Sequence, residues 1–187
     1  MHLPKMLDTA CMEVGHPAMS MQVAQSVVVP MASVVTLRGP GRLLCPNLGS
    51  GLALCALDPV ADVGGMAHFT LPEAPAGCPP DRVWRFVDAG FETFLQQLVS
   101  LGAEPEHVRI AAVGGAQLFA MNDSSPVDLG ARNAAALTSA LEFHGLTAEL
   151  NDVGGNCGRS VTFSLESGEV FVRTLVYGEN RLGSLRS

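Results

Sequence analysis

At 187 residues, with 48% hydrophobic and 16% charged side chains, the chain can bury one substantial core and is short of surface charge, which favours an oligomer or a partner face. A net charge of −7 with only 11 scattered basic residues argues against nucleic acid and against an anionic membrane surface as partners. The apolar stretch 23–35 is broken by Gln25, Ser26, Pro30 and Ser33, too short a run to insert in a bilayer, and no signal-peptide pattern opens the chain, so a cytoplasmic location is expected.

Residues 1–22 are rich in Met, Pro and His without a period and are expected to form a poorly ordered extension, leaving 23–187 as a single domain. The β-branched run 27–37 predicts strand, with Pro30 marking an edge or a break and Gly39-Pro-Gly41 a turn. Residues 42–44 lead into the turn Cys45-Pro-Asn-Leu-Gly-Ser-Gly51. An apolar run at 52–57 ends at Asp58-Pro59, and Gly64-Gly65 precedes a strand at 66–71. Beyond a Pro/Gly loop, Phe86, Val87, Phe91, Phe94, Leu95, Leu98 and Leu101 recur at helical spacing, so 84–101 is read as a helix stopped by Gly102. Residues 108–113 form a buried strand ending in Gly114-Gly115. A loop is expected at 122–126, a second helix at 130–144 and a strand at 146–153. Gly154-Gly-Asn-Cys-Gly158 is a turn, and a last hairpin pairs 160–164 with 169–175. Strands and two long helices in this order predict an α/β fold, a layered α/β sandwich with a mixed sheet, and not a doubly wound parallel sheet.

Five cysteines, at 11, 45, 55, 78 and 157, make no C-x-x-C pair, so reduced thiols are expected. His2, His16, His68, His107 and His144 are dispersed with no i, i+4 pair and no carboxylate cluster beside them, and neither a metal nor a cofactor is expected. Chemically, the informative stretch is 45–72. A Gly/Ser turn that exposes backbone N–H groups, followed by a returning histidine, is how a chain builds a site for attack on an acyl or amide carbon. The turn itself holds no obvious nucleophile.

The segments Pro40-Gly-Arg-Leu-Leu-Cys-Pro-Asn-Leu-Gly-Ser-Gly51, Ala56-Leu-Asp-Pro59, Gly64-Gly-Met-Ala-His-Phe69 with Leu71-Pro72, Val113-Gly-Gly-Ala-Gln-Leu-Phe119, Gly130-Ala-Arg-Asn133 and Asp152-Val-Gly-Gly-Asn-Cys-Gly-Arg159 together resemble the chemoreceptor glutamine deamidase family, CheD. Order and spacing agree from about residue 32 to 175. The resemblance implies hydrolysis of receptor glutamine amides to glutamate through a thioester, on methyl-accepting chemoreceptors, with ammonia released. It also implies docking onto a CheC-type phosphatase.

In that family the turn carries a nucleophilic cysteine, a histidine 17 residues later is the base, and a threonine six residues before the cysteine completes the site. Here the histidine is His68, the cysteine position is Gly51 and the threonine position is Cys45. A thiolate attacks, a histidine moves its proton, and backbone N–H groups receive the oxyanion; glycine can do none of the first.

Two readings follow from this vacancy. Either the chain has lost or nearly lost deamidation and works by binding, or Cys45 has taken over as nucleophile from the threonine's place. A plain scaffold is the third alternative. Asn47, Ser50 and Gln117 are candidates for polar contacts to an amide. Asn133 and Arg132 read equally as ligands or as capping and surface residues, Cys55 as packing, and the glycine pairs as devices for close strand approach.

Overall fold

The computed structural model describes residues 26–118 and 128–186. The expected N-terminal extension, Cys11, Phe119 and the loop at 122–126 lie outside the described residues.

The β-branched run 27–37 divides at Pro30. Strand β1 (Ser26–Val28) belongs to one sheet and β2 (Ser33–Arg38) to the other. Proline has no N–H to continue a ladder, and Ala32 at φ 53° turns the chain, with Ser33 Oγ donating to Pro30 O at 2.7 Å. Strand β3 (Arg42–Leu48) runs further than the sequence suggests, because a register shift between Cys45 and Leu48 accommodates Pro46 and Asn47, the latter at φ 58°.

Every residue of β4 (Leu52–Asp58) and β5 (Val63–Phe69) is buried, which is why their sequences read as unbroken apolar runs. The glycine pair 64–65 lies inside β5, and the strand ends at Phe69 instead of 71. The first long helix starts later than its apolar spacing suggests. Pro80–Arg85 forms a 3₁₀ turn, Phe86 is extended at φ −111° and bridges Leu71, and α1 (Val87–Ser100) follows. Arg38 closes its far end by donating from Nε and Nη2 to Leu101 O at 3.1 and 2.7 Å.

Strand β6 (Arg109–Gly114), α2 (Leu129–Phe143) and β7 (Ala148–Val153) make a parallel crossover. Asp128 caps α2, its side chain accepting from Ala131 N at 2.9 Å. The hairpin β8 (Arg159–Ser164) and β9 (Glu169–Thr174) forms as expected but is not the last. Strand β10 (Gly178–Ser184) pairs antiparallel with β9. Its exposed polar first half lacks the apolar alternation that identifies a strand. Arg186, donating to Leu165 O at 2.9 Å and pairing with Asp62, ties down the chain beyond it.

Two mixed five-stranded sheets result, ordered β1-β3-β8-β9-β10 and β2-β5-β4-β6-β7. One apolar cluster fills the space between them, with Leu43 and Cys45 from β3, Cys55 from β4, Met66 from β5 and Phe163 from β8. A second cluster lies between the second sheet and the helices, where Phe91, Phe94 and Leu98 of α1 meet Leu54, Ala67 and Ile110. The architecture is α/β in three layers, sheet on sheet on helices. Among the described residues no helix is long and apolar enough to cross a membrane.

Candidate active site

Strand alternation decides where the histidine points. In β5, Ala67 and Phe69 face the helices while Met66 faces the first sheet, so His68, two residues from Met66, also enters the space between sheets. On β3, Leu43 and Cys45 enter that space from the other side. The two side chains meet there, with Cys45 Sγ 3.3 Å from His68 Nδ1.

Cys45 is fully buried and His68 is 4% exposed. Burial pushes the Cys45 thiol up to about 12 and lowers the His68 pKa below its ordinary value. Both groups are thus neutral at pH 7. Cys55, also fully buried on the same face of the neighbouring strand, belongs to the packing.

Position 51 lies against the other ring nitrogen. A Cβ added to Gly51 would sit 3.2 Å from His68 Nε2 and 2.7 Å from Phe69 O. The carbonyls of the turn are tied down: Gly115 N donates to Gly51 O at 2.8 Å and Ala116 N to Gly49 O at 2.9 Å. Gly114, at φ 118°, allows this approach, because a Cβ there would strike Gly51 O. Among the described residues the N–H groups of Ser50 and Gly51 meet no acceptor.

Asn133 is a part of this site that its sequence position does not reveal. Far from capping α2 or lying on the surface, it is fully buried. Its Nδ2 donates to Ser50 O at 2.8 Å and to Thr70 O at 3.1 Å. One side chain thereby joins the turn to the end of the His68 strand. Because both partners are carbonyls, the amide orientation is fixed, and Oδ1 is left buried without a partner among the described residues. The Gly-Ala-Arg-Asn motif was the available signal, while the neighbouring Arg132 is exposed.

The other predicted contacts are peripheral to the Cys45–His68 pair. Ser50 is half-buried within the turn, and Gln117, also half-buried, follows the Ala116 that pins Gly49, with its own N–H on Gly155 O at 2.9 Å. Asn47 is exposed at the β3 irregularity, its N–H donating to Ser160 Oγ at 3.3 Å. Cys78 and Cys157 are half-buried. The histidines are not all free of carboxylates: His107 Nδ1 lies 3.4 Å from Glu104 Oε2 and its Nε2 lies 4.0 Å from Glu106 Oε1. These three could offer one ligand atom each to a metal, but Glu104 and Glu106 are exposed, and exposed acidic groups commonly cluster without an ion.

Comparison with known proteins finds relatives over most of the chain. A family model described as CheD chemotactic sensory transduction matches residues 70–174, beginning two positions after His68. A probable chemoreceptor glutamine deamidase CheD from Desulfitobacterium hafniense is 35% identical over 157 residues, 82% of this chain and 96% of the relative. The chemoreceptor glutamine deamidase CheD of Thermotoga maritima is 34% identical over 152 residues, covering 81% and 94%. A probable CheD deamidase from Symbiobacterium thermophilum is 36% identical over 145 residues, covering 75% and 86%. With that similarity spread over most of its length, the chain belongs to the CheD family.

Proposed function

We propose that this chain is a cytoplasmic chemotaxis protein of one CheD-like domain that binds chemoreceptors without deamidating them efficiently. The observation that carries this reading is the bare hydrogen at Gly51, facing His68 Nε2 where the family resemblance calls for a thiol. Without a nucleophile the rest of a triad-type site retains only about 10³–10⁴ of rate over water. Receptors are proposed as partners because the relatives carry that substrate in their names. A CheC-type phosphatase is the second partner, since such docking needs no cysteine chemistry.

Deamidation through Cys45 is the alternative, favoured by its 3.3 Å contact with His68. Against it stand complete burial, which keeps a receptor side chain away from Sγ, and a thiol held far from its reactive thiolate form. The test is retention of the protein on immobilised receptor cytoplasmic domain and on immobilised CheC-type phosphatase. Retention on either supports the binding reading. Retention on neither removes it and leaves the scaffold.

A further inference from the structure

A cavity of about 380 Å³ opens where β8 begins, β9 ends and β10 begins, beside the glycine turn that follows β7. None of its lining residues belongs to the Cys45–His68 pair or to the 49–51 turn. Val172 and Leu182 supply an apolar wall, Tyr177 a ring, and Asp152, Arg159 and Arg181 the charges. A space of this size, with apolar walls and a few converging polar groups, is the form of a small-ligand site.

Arg159 is the group in it that calls for a ligand. Its side chain is only 9% exposed, so its N–H groups have little access to water. A guanidinium carries five N–H donors. Nε and Nη2 donate side-on to Asp152 Oδ2 and Oδ1 at 3.1 and 2.9 Å, and Nη1 donates to Cys157 O at 3.0 Å. One N–H on each terminal nitrogen is thereby left without a partner among the described residues. Buried donors left unmet are costly, and two on the terminal nitrogens of one guanidinium suit the paired oxygens of a carboxylate.

Arg181 adds donors of the same kind. Its Nε is engaged by Glu169 Oε1 at 2.9 Å, and its terminal nitrogens have no partner among the described residues. Within the lining Asp152 cancels Arg159, and the Glu169 carboxylate lies outside it, so one positive charge is left over. A single excess charge matches a monoanion better than a phosphate dianion, because the Asp152 carboxylate repels the second negative charge.

We propose that this cavity binds the carboxylate of an acid with an apolar body. The oxygens take the free N–H groups of Arg159 and Arg181, and the body lies against Tyr177, Val172 and Leu182. A free small acid and the C-terminal carboxylate of a polypeptide share this chemistry. The site stands whether or not the chain binds receptors.

The test is titration of the intact ¹⁵N-labelled protein at neutral pH with benzoate, with N-acetylphenylalanine as the mimic of a polypeptide C-terminus, and with benzamide as the uncharged counterpart. Saturable shifts are expected in the amides of residues 155–157 and 177–182 with at least one of the acids, and none with benzamide. Tighter binding of benzoate assigns a free acid, and tighter binding of N-acetylphenylalanine a chain end. Arg181→Gln, at a half-exposed position, should weaken the bound acid by about tenfold, the loss of one charge-assisted hydrogen bond. Arg159→Gln should abolish binding; if that variant fails to fold, Arg181→Gln and the benzamide control decide. The proposal is overturned by the absence of a saturable shift with either acid, by an equal response to benzamide, or by unchanged binding in Arg181→Gln.

Discussion

Cys45 Sγ and His68 Nδ1, 3.3 Å apart, join the two sheets through a hydrogen bond inside their shared apolar layer. A thiol so placed is shielded by protein on every side. Iodoacetamide is therefore expected to leave Cys45 unmodified in the folded protein at mildly alkaline pH and to label it after unfolding in urea, as read by peptide mass spectrometry. Labelling of native Cys45 at the rate of an exposed thiol would revive it as a nucleophile.

His68 makes stability depend on pH in a defined direction. Burial lowers its folded-state pKa below the ordinary 6.5, so the unfolded chain takes up the proton more readily than the folded one. The contribution is absent above about pH 7.5 and becomes destabilising as pH falls below the unfolded value, levelling once the folded ring also protonates. Urea midpoints at about pH 7.5 and about pH 5.5 should differ less in His68→Gln than in the wild type. An equal loss in both proteins would assign the acid sensitivity to other groups.

Restoring the thiol by Gly51→Cys is expected to cost stability, because its Cβ would come within 2.7 Å of Phe69 O, a backbone atom of the adjoining strand. Overpacking of this kind costs about 1–3 kcal/mol. The variant should lower the thermal midpoint and, through the 3.2 Å approach to His68 Nε2, gain a labelable thiol. Recovery of ammonia release is expected to need Cys45→Thr as well, which removes the thiol from Nδ1. Release by Gly51→Cys alone would mean that Cys45 at the threonine position does not obstruct the reaction.

Asn133 is predicted to act on the turn more than on the core around it. Asn133→Ala leaves Ser50 O and Thr70 O without their donor, a loss of about 1–3 kcal/mol. Hydrogen exchange at the Gly115 and Ala116 amides, which hold Gly51 O and Gly49 O, should accelerate more than exchange in β8. Uniform acceleration across both sheets would reduce Asn133 to a packing residue.

Much of this layout is legible in the residues themselves. The spacing of Val87, Phe91, Phe94 and Leu98 identifies the buried face of α1, because a helix against a sheet needs an apolar stripe. Its start was displaced by Phe86, whose extended backbone answers to a bridge with Leu71 that local spacing does not contain. Strand β10 escaped notice because an exposed edge strand needs no apolar alternation. Position 51 and His68 could be paired from the family motifs, and the structure supplies the face on which they meet. The Gly-Ala-Arg-Asn motif points to Asn133 but not to its role: its partners lie 83 and 63 residues away, and only the packed fold brings them together.

A chain that binds receptors without deamidating them is tested most directly by ammonia release from receptor cytoplasmic domains incubated with the wild-type protein and with Cys45→Ala. No release above that of receptor alone is expected in either case. Release by the wild type that disappears in Cys45→Ala would contradict it and make Cys45 the nucleophile.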